Sequence, residues 1–191
     1  MRVIMMAIGI LCAAAVASCR PAEPPVVDTA KVRNIPLSLF TGMAEGETKK
    51  THYAENNNPT TLEGPLEWPN PFTGQTMTAY KRERFSGRNY ATVTQYYAVT
   101  EDGQGIGRRW DSRWPRFDPG QEVKFPLGNW HQGESRVFKD RSTVVVTIEK
   151  IDFTYQGETN ALQYTWDFND GRDRWRYVYV PGKGMVFSEQ Y

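Results

Sequence analysis

Histidine and cysteine are nearly missing from this chain. Among 191 residues there are two histidines, His52 and His131, and two cysteines, Cys12 and Cys19. Without an H-E-x-x-H run, paired cysteines or closely spaced histidines, the ligands for a zinc site are not supplied, so no metal or other cofactor is expected. There is no G-x-S-x-G either, and Ser135 near His131 is too thin a pair to carry a serine mechanism. A charge surplus is lacking as well: 23 Lys+Arg against 22 Asp+Glu gives +1. The first 18 residues hold one cation and no acid, so the remainder is formally neutral. That balance removes the bulk electrostatic basis for nucleic-acid binding, and no nucleic acid is expected as a partner. Beyond Val16 there is no long apolar run, and no dozen residues carry the i, i+3, i+4, i+7 spacing of an amphipathic helix.

What is present begins with a leader. Residues 1–18, MRVIMMAIGILCAAAVAS, place Arg2 before an apolar stretch from Val3 to Val16 and end on the small residues Ala17 and Ser18. This is the pattern of a secretory signal peptide, too short for a comfortable bilayer span and followed by Pro21, Pro24 and Pro25. Val16-Ala17-Ser18-Cys19 resembles the lipobox of bacterial lipoproteins. The resemblance implies cleavage before Cys19, a diacylglyceryl thioether on its sulfur and a further acyl chain, palmitate or similar, on its amino group. With Cys12 removed, Cys19 is the sole thiol and no internal disulfide forms. Two or three chains at ~0.8 kcal/mol per buried methylene hold a domain on a membrane durably. Residue 20 is Arg, where Asp resembles an inner-membrane retention signal, so the expected place is the periplasmic face of the outer membrane. Residues 19–36, with prolines at 21, 24, 25 and 36, read as a semi-extended tether.

The 13% aromatic content and recurrent period-two alternation give the remainder a β reading. In Asn160–Phe168, Leu162, Tyr164, Trp166 and Phe168 share a face; in Arg174–Val180, Trp175, Tyr177 and Tyr179 do. Asn169-Asp170-Gly171 between them is a strong hairpin signal, because these residues tolerate positive φ. Ser142–Tyr155 switches its apolar parity near Glu149-Lys150, which predicts a bulge. Met77–Arg84 and Tyr90–Val99 read as a strand pair, and Ile106–Asp111 as the next strand. Glu63–Gly74, with three prolines, reads as a surface loop or insertion. The expectation is a single mainly β domain over 37–191, an antiparallel curved sheet arranged as a half-barrel, barrel or sandwich.

Several local patterns dissolve on inspection. Asp167–Gly171 has its Gly at position five of a calcium loop and lacks the closing Glu, so a hairpin turn accounts for it better. Gly103, Gly105 and Gly107 precede no helix that could present its N-terminus to a phosphate. The densest cluster is Arg108–Arg116, RRWDSRWPR, with four Arg and two Trp in nine positions. Trp110, Trp114 and the downstream Trp130 offer flat apolar faces, and Arg108, Arg109 and Arg113 offer forked donors, a set suited to a glycan, phosphate or anionic lipid headgroup, or to an envelope protein. The competing structural reading has the Trp plugging a sheet end and the Arg paired with Asp111 and Asp118.

Tyr177–Val186, YVYVPGKGMV, is similar to a motif ending a group of β-sheet envelope proteins (the TapB-like group), where an aromatic strand enters a P-G-x-G turn. Phe125-Pro126-Leu127-Gly128-Asn129-Trp130 resembles, with compressed spacing, the opening of the same region. The resemblance spans residues 121–191 and implies a curved antiparallel sheet and an envelope compartment, not a reaction. The expected function is that of a non-catalytic, lipid-anchored lipoprotein binding a ligand or partner. The alternatives are an envelope glycan hydrolase using paired carboxylates, or a structural component of an envelope assembly.

Overall fold

The computed structural model describes residues 31–53, 59–86, 91–169 and 171–191. The leader, Cys19 and the tether as far as residue 30 lie outside them, as does Asp170 of the hairpin turn. In chain order the elements are β1 (Val32–Ile35), α1 (Leu37–Thr41), β2 (Lys49–Tyr53), β3 (Pro59–Pro69), β4 (Thr76–Ser86), β5 (Ala91–Val99), β6 (Gly105–Asp111), β7 (Glu122–Pro126), β8 (Gly128–His131), β9 (Ser135–Lys139), β10 (Thr143–Tyr155), β11 (Glu158–Phe168), β12 (Asp173–Val180) and β13 (Gly184–Gln190). The fold is mainly β, with every pairing among the described strands antiparallel. A six-stranded sheet, β2-β3-β4-β5-β6-β7, curls as a half-barrel, and a five-stranded sheet, β13-β12-β11-β10-β9, packs against it.

Sequence periodicity located six of the thirteen described strands, β4, β5, β6, β10, β11 and β12. Asn169 (φ 48°) and Gly171 (φ 89°) take the positive φ the hairpin requires, and β11 pairs β12 from Leu162–Tyr179 to Phe168–Asp173. On β10 the register skips between Ile148 and Lys150, at the predicted parity switch. Val144, Val146 and Ile148 face the main core before it; a second irregularity at Asp152 (φ 52°) sends Phe153 and Tyr155 to a satellite cluster around Ala161, Val178 and Val180.

Three segments differ from the reading of the sequence. Glu63–Gly74 is not a loop throughout: it continues β3 to Pro69. Proline is tolerated because the β3–β4 register breaks between Glu63 and Leu66, so Pro65 forfeits no ladder hydrogen bond. Paired structure starts at Val32, inside the proline-rich stretch, where β1 pairs β8. Leu37–Thr41 is a single helical turn, too short to show a period. Pro36 enters it in extended conformation and Gly42 (φ 63°) ends it, donating to the Ser38 carbonyl at 2.8 Å.

The two sheets are held together by aromatic side chains and their polar tips. Trp166 and Tyr164, fully buried on β11, donate from Nε1 and the phenol to the carbonyls of Val123 and Lys124 on β7, each at 2.7 Å. β7 is the edge of the six-stranded sheet. The two hydrogen bonds therefore tie that edge strand to the second sheet while the rings pack the core. Phe40 of α1 seals one end, with ring centroids 5.7 Å from Tyr97 and 5.4 Å from Phe125.

At that same end β13 meets β2 through His52, whose Nδ1 bonds the Lys183 carbonyl. The imidazole fits only because residue 184 lacks a side chain: a Cβ there would overlap the ring, and Gly184 sits at φ 68°. Gly184→Ala is therefore expected to cost about 3 kcal/mol, combining overpacking with left-handed strain. Urea denaturation checks this; a loss under about 0.5 kcal/mol, the scale of a neutral surface change, would contradict it.

Candidate functional site

A cavity of about 580 Å³ opens between the concave face of the six-stranded sheet and strands β11, β12 and β13. That size falls among small-molecule sites, which run roughly 300–1,000 Å³. Its floor is Phe40, Tyr97 and Tyr179. One wall is aromatic and comes from alternate residues of two paired strands, Trp166 and Phe168 on β11, Trp175 and Tyr177 on β12. Trp166 stacks on Phe168 at 5.4 Å and 13°, and Trp175 on Tyr177 at 6.1 Å and 12°. The opposite wall carries Arg82 and Arg84 of β4, Gln95 of β5 and Arg108 of β6. At the mouth stand Arg113, Trp114 and Phe117, with Trp114 51% and Phe117 61% exposed.

Part of this charge is matched internally. Asp111 Oδ2 accepts from Arg108 Nη1 at 3.0 Å, Arg113 Nη2 at 2.6 Å and Gln95 Nε2 at 2.6 Å. Burial alone would raise the Asp111 pKa, but the hydrogen bonds from Arg113 and Gln95 outweigh it and hold the carboxyl well below the usual carboxylate range. Glu122 pairs with Arg108 through Oε2 and with Lys124 at 2.5 Å through Oε1. Lys124 Nζ also lies 3.4 Å from the Trp166 ring centroid. Burial pushes the Lys124 ammonium down to about 8 against the pull of Glu122. Asp173 accepts from Trp175 Nε1 and Gln190 Nε2, both at 2.8 Å. Each carboxylate is therefore engaged by fixed donors, and Asp111 is held ionised, which is the reverse of what a glycosidic general acid needs.

Arg82 and Arg84 are different. Neither forms an ion pair within 4 Å among the described residues, whereas their outward-facing neighbours Lys81 and Glu83 pair with each other at 2.8 Å. Arg82 reaches the Tyr97 hydroxyl only at 3.5 Å. The Nε of Arg84 is buried with no hydrogen-bond partner. Burial and then the charges of Arg82 and Arg113 lower the Arg84 pKa. The phenols nearby give no counter-charge, because burial raises Tyr177 and pushes Tyr179 up to about 12. Among the described residues the two guanidiniums thus face the cavity with no carboxylate at ion-pair distance, Asp111 acting on Arg84 only from further off.

The residues singled out from sequence divide between this cavity and the rest of the domain. Arg108, Arg113 and Trp114 line it. Arg109, next to Arg108 on the strand, faces the other way, and Trp110 does not return to the cavity because the β5–β6 register slips between Tyr96 and Tyr97. Tyr97 then faces Arg108 and Gln95 faces Asp111 on the cavity side, while Tyr96 faces Trp110 on the other. Trp110 packs edge-on against Tyr96 at 5.9 Å, and Tyr96 stacks on Trp68 at 4.6 Å. Arg109 is buried and donates to the carbonyls of Gly120 and Val99 and to Gln121 Oε1. Trp130 belongs to the core, 0% exposed, with Nε1 bonded to the Leu127 carbonyl at 2.9 Å. Cys19 lies outside the described residues. Sequence reasoning missed Arg82 and Arg84, although K-R-E-R on a strand puts both arginines on one face. The shared faces of Trp166, Phe168, Trp175 and Tyr177 were readable, but not that they front a cavity.

Among the described residues no cluster of three His, Cys, Asp or Glu could hold a metal ion. No family model matches the chain, and neither do curated proteins or solved structures.

Proposed function

We propose that this chain is a non-catalytic binding lipoprotein of the bacterial cell envelope, anchored through Cys19 on the periplasmic face of the outer membrane, whose intersheet cavity takes an anionic ligand with a flat apolar body. The observation that carries the binding role is the pairing, in one cavity of about 580 Å³, of a stacked aromatic wall with two arginines that have no acidic partner among the described residues. Rings supply contact area at low entropic cost, and forked guanidiniums supply direction and charge. The envelope placement rests on the leader and the Val16–Cys19 resemblance, and the TapB-like ending agrees with it.

Two measurements test this reading. Clickable fatty acid fed to growing cells should label the chain and fail to label Cys19→Ala; equal labelling would remove the anchor. For the cavity, 1-naphthyl phosphate and 1-naphthyl sulfate are titrated by calorimetry into the full chain held in phosphatidylcholine nanodiscs. Trp114→Ala, at an exposed position beneath the Arg113 guanidinium 4.3 Å away, should leave the thermal midpoint unchanged and weaken binding about tenfold. Absence of any heat with both probes would refute the cavity as the binding site.

A further inference from the structure

We infer that the β4 side of the cavity is a phosphomonoester site, with one dianionic phosphate seated between Arg82 and Arg84 and its ester oxygen directed toward the Trp166–Phe168 wall. The inference rests on the binding role above and narrows it to a chemical class.

Charge decides the class. Arg108, Arg113 and Lys124 share the carboxylates of Asp111 and Glu122, and Asp173 also lines the cavity, so five cations stand against three carboxylates and two positive charges are in excess. Arg82 and Arg84 are the two cations with no ion-pair partner among the described residues, set against a low-dielectric aromatic wall. A carboxylate, sulfate ester or phosphodiester brings a single negative charge and would leave one guanidinium unmatched. A phosphomonoester, with its second pKa near ~6, carries nearly two at neutral pH and has three acceptor oxygens. Geometry agrees with charge. The two arginines are two residues apart on one face of β4, so their Cα atoms are separated by about 7 Å. Two forks at that spacing can close on one tetrahedral group from two sides. The unpartnered, buried Nε of Arg84 then finds the acceptor it lacks. Gln95 and Arg108 stand on neighbouring strands of the same wall. The cavity volume suits one ring system or the phosphate end of a lipid, and the shared recognition element is the monoester.

The test compares esters that differ in charge alone, on the full chain in phosphatidylcholine nanodiscs. At pH 7.5, 1-naphthyl phosphate is expected to bind at least about tenfold more tightly than 1-naphthyl sulfate. Arg82→Gln and Arg84→Gln should each erase that preference while changing sulfate binding less. Since each removes a half-buried cation with no ion-pair partner among the described residues, neither should lower the thermal midpoint of the unliganded chain. Doping the nanodiscs with phosphatidic acid, a monoester lipid, weakens naphthyl phosphate binding if a lipid headgroup takes the site. If it has no effect, a soluble ester does, and both results support the inference. Equal binding of the two naphthyl esters by the wild-type chain overturns the phosphomonoester assignment and leaves the cavity reading standing. Silence from both esters overturns the two together. Because the wild-type ratio is decisive by itself, poor folding of a variant does not remove the test.

Discussion

Trp166→Ala is expected to destabilise the domain by about 3–5 kcal/mol, the range for deleting a large buried aromatic. The side chain is 2% exposed, its indole N–H holds the Val123 carbonyl at 2.7 Å, and its ring meets both Phe168 and the Lys124 ammonium. Three separate losses follow: a core void, the hydrogen bond to the edge strand β7, and one wall of the cavity. Trp166→Phe separates them. It keeps most of the volume and removes the hydrogen bond, so it should cost nearer ~1–2 kcal/mol. Urea denaturation of both variants is the measurement. If alanine costs no more than phenylalanine, Trp166 is not joining the sheets as described. The same pair of variants should differ in naphthyl phosphate binding, since phenylalanine retains a ring at the wall.

Asp111→Asn should lower stability by about 3 kcal/mol and tighten anion binding about tenfold. The carboxylate accepts from Arg108, Arg113 and Gln95 in a buried position. Neutralising one partner of a buried ion network leaves the remaining cations uncompensated, which is the expensive half of such an arrangement. Those freed cations then become available to a ligand, so stability and affinity move in opposite directions. The pH signature gives an independent check. The folded-state pKa of Asp111 is lowered, so its stabilisation is complete above the ordinary aspartate value of about 4 and is lost as pH falls through the acid range below it. Wild type should therefore lose thermal stability more steeply than Asp111→Asn between roughly pH 4 and pH 2. Parallel curves would mean that Asp111 is not held ionised by its arginines.

These two side chains also mark how far the sequence could be read. Trp166 was legible as a core-facing residue because β11 alternates cleanly, Leu162, Tyr164, Trp166 and Phe168 on one side; period two is a local property that needs no partner to be seen. The turn at Asn169–Gly171 and the parity switch at Glu149-Lys150 were legible for the same reason. Asp111 was foreseen as an arginine partner, since it sits inside RRWDSRWPR. The division of that cluster was not foreseeable. Arg108 enters the cavity while Trp110 leaves it, because a register slip opposite Tyr96 and Tyr97 reverses the alternation at Arg109. A bulge of that kind is set by how β5 and β6 pair, not by the residues of β6 alone.

The amino-acid order alone thus determined the strand-rich class, the six strands with clear alternation, the hairpin, and which of their residues share a face, for all of these follow from neighbours within a few positions. Tertiary structure decided that the faces of β4, β11 and β12 confront one another, that Trp130 is consumed by the core, and that Arg82 and Arg84 meet no acid among the described residues. Whether a charge is compensated depends on what lies opposite across a gap between sheets, and residues more than eighty positions apart in the chain, such as Arg84 and Trp166, come to face that gap only when the sheets close.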